Sequence, residues 1–465
     1  MNLSASLIII FIVIAGPALG GGLIPSLLKY DPSPTSLSSN DSKTLVSSSL
    51  DEPANIQTDS ANITLEYNAE NLIRTKTNGK LTADVTTWGR AESLFFPLHI
   101  VKQPTTFALS HAVSNASAFY EDEDTGTELT LKTDSYAWAI SHSIGETRIG
   151  IAGSQYSSLI PGRSAFPQHV FRIFNGWTPI KFSLEEKDIL FQAAQPISNN
   201  SEVCITLGKG NNALHTVFGQ DGNRISIPAE ANTTKYGIDI KRQMNRKLNI
   251  GMGYSRSSGS GSNFIYRNES KSGTLLYDPK YHQLSASVNY QKSPTSVWET
   301  GYTSSSHGLH LRGLSLKGND LGIKVEPFAD RIDFSADADL LVSYFYLGNH
   351  RKVSDKWSLG WRYKYAKIDS ELNADYIGRA FFGLINVTGS YNNSLLTTHL
   401  HDLELSAKYA RNSTSIEIRL EQAIPTSSGS DPDSSDSNPH HPAAPTKNRK
   451  STGGTSLSIT SSYAF

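Results

Sequence analysis

Residues Trp357-Ser358-Leu359-Gly360-Trp361-Arg362-Tyr363-Lys364-Tyr365 alternate without a break. Every odd position is aromatic or Leu, and every even one is small or cationic. An extended strand sends successive side chains to opposite faces, so this segment has one greasy face and one polar face. Leu248 to Tyr254, Leu284 to Tyr290 and Ile416 to Glu421 repeat the pattern. Strands of this kind need an apolar medium on one side and tolerate water on the other.

Composition separates the two architectures that satisfy that demand. Only 38% of the 465 residues are hydrophobic. A soluble sandwich of this length needs a large dry core, whereas a membrane barrel needs one apolar residue in two along each strand. The formal net charge of -1 gives no basic field, so no nucleic-acid partner is expected. Cys204 is alone, which rules out an intramolecular disulfide framework and leaves stability to strand pairing.

Met1 to Gly20 reads as a signal peptide: an apolar run from Leu7 to Ile14 precedes Ala18-Leu19-Gly20, a small-x-small cleavage site. The run is too short to span a bilayer. Residues 21–60, rich in Ser, Pro, Asp and Asn, read as a flexible lead-in, with no plug domain or energy-coupling box evident. Residues 61–465 read as a single barrel.

Connections sort by parity. The turns at Gly145-Glu146, Gln243 to Arg246, His350 to Asp355 and Arg411 to Ser413 are short. Those at Ser257 to Lys280, about 370–398 and about 425–452 are expected to be long. Short periplasmic turns opposite long external loops are the habit of outer-membrane barrels, and a sandwich has no reason for it. The fold class is therefore an all-β, transmembrane antiparallel β-barrel of about 16 strands, within roughly 12 to 18. About 11 of these are expected after residue 233, and residues 188–232 are the least legible.

Two resemblances bear on this. The ending Leu457 to Phe465, with Tyr463 and a terminal Phe465, resembles the signal by which barrel-assembly machinery recognises bacterial outer-membrane proteins. Glu128 to Tyr136, the turn at Gly145-Glu146, Arg148 to Ile151 and His169 to Phe174 resemble a group of uncharacterised bacterial outer-membrane proteins, grouped as a domain of unknown function. Both imply a Gram-negative outer membrane, with its lipid and lipopolysaccharide as surroundings. Neither implies an activity.

For function, the inferred inward faces carry Lys247, Arg362, Lys364, Glu404, Lys408, Glu417, Arg419 and Glu421. Mixed signs on neighbouring strands suit a wet pore with a transverse field, and equally suit ion pairs that brace a closed interior. The leading expectation is a porin-like channel for passive diffusion of small hydrophilic solutes. The alternative is a non-conducting barrel with a structural or surface-binding role. Homo-oligomerisation stays open.

No enzyme activity, cofactor or metal is expected. A lipid hydrolase would need His and Ser two residues apart on one strand face. His111 and Ser114 are three apart, and His142 and Ser143 are adjacent. His399 and His401 share a face but lack a third ligand in the sequence. Ser164 to Trp177 has helix-like spacing and reads as an external rim element.

Overall fold

The computed structural model describes residues 53–56, 60–77, 80–100, 103–121, 126–165, 177–219, 224–316, 329–380, 385–427 and 449–464. Sixteen strands follow in order. They are β1 Asn62–Thr77, β2 Lys80–Ile100, β3 Gln103–Glu121, β4 Gly126–Ile144, β5 Thr147–Ala165, β6 Trp177–Ser198, β7 Ser201–Phe218 and β8 Ile225–Asn245. The rest are β9 Leu248–Arg267, β10 Ser270–Ser293, β11 Ser296–Leu316, β12 Ala329–Lys352, β13 Trp357–Ala380, β14 Ile385–Arg411, β15 Thr414–Ser427 and β16 Arg449–Ala464. Each pairs antiparallel with its chain neighbours, and β1 pairs with β16, so the sheet closes and has no free edge.

Alternation decides what each face meets. On β13, Trp357, Leu359 and Tyr363 point outward and are exposed, while Arg362 and Lys364 point inward and are buried. The same sorting puts Ile205 and Leu207 of β7 outside, with Ile238 and Ile240 of β8 and Ile416, Ile418 and Leu420 of β15. This outward apolar belt is what a transmembrane barrel presents to lipid.

The strands run to 27 residues in β14, well beyond the ~9–11 that cross a bilayer. That length corrects two expectations. Within the expected loop at 370–398, residues 370–380 end β13 and 385–398 begin β14, and Ser257 to Lys280 is a hairpin of β9 and β10 turning at Asn268-Glu269. Outside the lipid most outward side chains are polar, with exceptions such as Phe264 and Ile377, so period-two hydropathy fades although the strand continues. The same effect inflates the strand count: nine strands, β8 to β16, lie from residue 225 onward rather than the 11 expected. The short turns at Gly145-Glu146, around Arg246, around Ser354 and at Asn412-Ser413 are present.

The β9–β10 turn holds Asn268 at φ 43° and Glu269 at φ 70°. A two-residue hairpin with both φ positive matches strand twist and prefers Asn-Gly, because a Cβ is strained there. Glu269→Gly should therefore stabilise the barrel by roughly 0.5–1 kcal/mol, read as a higher urea midpoint for unfolding from lipid vesicles. An unchanged or lower midpoint would show that Glu269 makes contacts that outweigh the strain.

Candidate functional site

The inner wall near the short-turn end is built from small residues, and the reason lies in the chain itself. One cross-strand row runs Phe95, Ala108, Ala139, Ala152 and Leu190 across β2 to β6, all inward. Three alanines between Phe95 and Leu190 leave a hollow, and Ile56 of the lead-in segment packs into it. Next to it Ala54 packs on Ala194 and Cys204. Pro53–Asn55 form a single 3-10 turn.

Polar groups fix this turn from both sides. The Ala54 amide donates to Gln192 Oε1 at 3.0 Å, and Ser141 Oγ donates to the Ala54 carbonyl at 3.1 Å. Gln192 in turn donates through Nε2 to Thr206 Oγ1 at 3.0 Å, which orients its acceptor. Gly150 completes the seat, since a Cβ there would overlap the Ala54 nitrogen. Ala54 and Ile56 are buried. Residues 53–56, inside the stretch read as a flexible lead-in, thus sit inside the barrel against the β4–β6 wall.

Further along the wall the inward face again turns apolar. Leu214 of β7, Ile265 of β9, Leu275 and Tyr277 of β10 and Leu309 of β11 are inward and buried. Between the two apolar zones lies a polar group, Glu186 and Asp188 of β6 with Lys235 of β8 bonded to both.

On the opposite wall, register brings together most of the charges singled out in the sequence. Arg362 pairs with Glu404 across β13–β14, and Lys364 faces Asp402. Arg362 reaches Glu299 of β11 at 2.8 Å and Glu404 at 3.6 Å. Lys364 reaches Glu421 at 2.7 Å, Glu404 at 3.2 Å and Asp402 at 3.5 Å. His350 adds a contact to Glu299 at 3.3 Å. Arg362, Lys364, Asp402 and Glu404 are all buried.

Seven of the eight expected pore residues are therefore inward. Lys408 faces Glu417, and Arg419 holds Glu417 at 2.8 Å. Lys247 is the exception: it sits exposed in the β8–β9 turn, one residue before the strand whose alternation had been extended to it. Glu299, His350 and Asp402 were missed. Asp402 and Glu404 stand two residues apart, opposite Arg362 and Lys364 two residues apart, and that matched step was the available signal. Tyr463 faces outward beside Ile63. Phe465, Met1 to Gly20 and most of Ser164 to Trp177 lie outside the described residues.

The strand faces separate the hydrolase pairs. His111 is outward, between Glu92 at 3.2 Å and Asp134 at 3.0 Å, whereas Ser114 is inward and bonds Thr133. His142 is outward on Thr105, and Ser143 is inward. His399 and His401 share the outward face, each bonded to a tyrosine hydroxyl at 2.7 Å, Tyr365 and Tyr363 respectively.

No family model matches this chain, and no curated protein does. Solved barrels are similar in fold. The toluene transporter TbuX of Ralstonia pickettii has 11% identity over 90% of this chain and 93% of its own, with a TM-score of 0.42. The toluene transporter TodX of P. putida has 8% identity over 89% and 92%, at 0.41. A FadL homologue of Pseudomonas aeruginosa has 10% identity over 88% and 91%, at 0.38. The expectation of passive passage for small hydrophilic solutes is corrected. The inner wall overturns it in physical terms: Arg362, Lys364 and Glu404, expected to meet water in a pore, are buried in mutual ion pairs, and the wall elsewhere carries apolar side chains.

Proposed function

We propose that this chain is a bacterial outer-membrane channel for small apolar molecules, held closed by its own lead-in segment. The observation that carries the reading is the inward apolar wall. A water-filled pore has no use for buried, inward Phe95, Leu214, Ile265, Leu275 and Leu309, whose burial in a wet lumen would gain nothing. An apolar solute gains roughly 25 cal/mol for each Å2 of surface it withdraws from water. The row that seats Ile56 is a ready apolar subsite once that side chain leaves.

Export through Met1 to Gly20, insertion by the machinery that reads the ending at Tyr463 and Phe465, and residence in an outer membrane belong to the same proposal. The test is uptake by cells with an intact lipopolysaccharide layer that express the chain. A small aromatic hydrocarbon should enter several-fold faster than in cells with an empty vector, while a disaccharide should not. Faster disaccharide entry with no change for the hydrocarbon would contradict the proposal.

A further inference from the structure

A convex barrel wall offers lipid no hollow, yet the outward face of β1–β7 holds one of about 890 Å3. Register explains its lining. Ile63, Leu94, Leu109 and Trp138 stand opposite one another in turn across β1 to β4, and the row continues through Gly153 to Ile189. The Trp138 indole fills the space over Gly153, where a Cβ would come within 2.5 Å of Nε1, so the glycine lets the ring lie against the wall as part of the trough's floor.

One step further from the short turns, the next row is polar: Glu92, His111, Tyr136, Gln155, Lys187 and Asn211. Its acidic end is already occupied, because Glu92 and Asp134 hold the two nitrogens of His111. Its other end is cationic. Lys187 is exposed and held by Glu185 at 2.7 Å. Lys209 lies across from Ile189, in line with the apolar row, exposed on the lipid-facing wall. Among the described residues no carboxylate is within ion-pair distance of it.

A cation on a lipid-facing wall is costly unless something neutralises it. An apolar trough that ends at an uncompensated ammonium fits one chemistry, a hydrocarbon chain ending in an anionic phosphate. We propose that this groove binds one anionic phospholipid, its acyl chain along Leu94, Leu109, Trp138 and Ile189 and its phosphate on Lys209 beside Lys187 and Asn211. The inference needs only the lipid-facing wall and is independent of what the interior transports.

The full chain in phosphatidylcholine nanodiscs doped with brominated-acyl phosphatidylglycerol provides the test. The quenched signal is the fluorescence that Trp138→Phe removes. Quenching should saturate at low mole fraction in the wild type. Lys209→Gln should weaken it about fivefold and Lys187→Gln by a similar factor, the effect of one lysine near an anionic surface. Ile189→Asn, which puts a polar group in the trough without displacing the Trp138 ring, should abolish it, with heat-modifiable migration checking the fold. Quenching that rises linearly with mole fraction and is equal in the lysine variants would overturn the proposal. So would equal quenching by brominated phosphatidylcholine, which would mean ordinary annular lipid.

Discussion

Arg362→Ala should destabilise the barrel by about 3–5 kcal/mol, whereas Arg419→Ala should change it by less than about 1 kcal/mol. The two residues carry the same charge two strands apart on the same inward wall, so burial and partners make the difference. Arg362 is 4% exposed and bridges Glu299 and Glu404. Removing it leaves Glu299 with His350 and Glu404 with Lys364, two largely buried carboxylates short of a cation. Arg419 is partly exposed and bonds Glu417 on its own strand, where solvent can replace it. Urea unfolding in lipid vesicles, followed by loss of heat-modifiable migration, measures both. Equal, small effects would show that water enters the β11–β15 wall and that the ion pairs line an open passage.

Gly150→Leu should expel residues 53–56 from the interior. The Ala54 nitrogen occupies the space a side chain would take, and backbone cannot yield as a flexible side chain can. The segment then loses its bonds to Gln192 and Ser141, roughly 1 kcal/mol each. It also loses the burial of Ile56, about 1.5–3 kcal/mol. Each step of about 1.4 kcal/mol shifts a two-state population tenfold, so cleavage of the lead-in by added protease should rise by at least about tenfold. Hydrocarbon uptake should rise with it. A barrel that keeps its lead-in protected after this substitution would refute the seating described for Ala54.

Legibility in the sequence followed the lipid. Where outward residues meet hydrocarbon, as at Trp357 to Tyr365 or Ile416 to Glu421, period two is plain, and these segments are strands β13 and β15. Where strands leave the lipid, as β9 and β10 do within Ser257 to Lys280, most outward residues are polar and the pattern fades. The inner wall misled for a different reason. Ala108, Ala139, Ala152 and Gly150 read as the bland side of an amphipathic strand, and alternation cannot distinguish small residues facing water from small residues making room. Pro53 to Ile56 carries no periodicity at all, so its burial becomes visible only when the wall is assembled. The charges were legible by sign and face, but their mutual pairing needed the register of β11, whose Glu299 lies far from them in sequence.

Cys204 offers the most direct test of an apolar path closed by the lead-in, because it is the chain's sole cysteine and packs against Ala54. The Ala54→Cys variant, fully oxidised to a disulfide with Cys204 as verified by mass, should block uptake of a small aromatic hydrocarbon by cells with an intact outer membrane. Reduction should restore it. Equal uptake in the oxidised and reduced states would contradict closure by the lead-in.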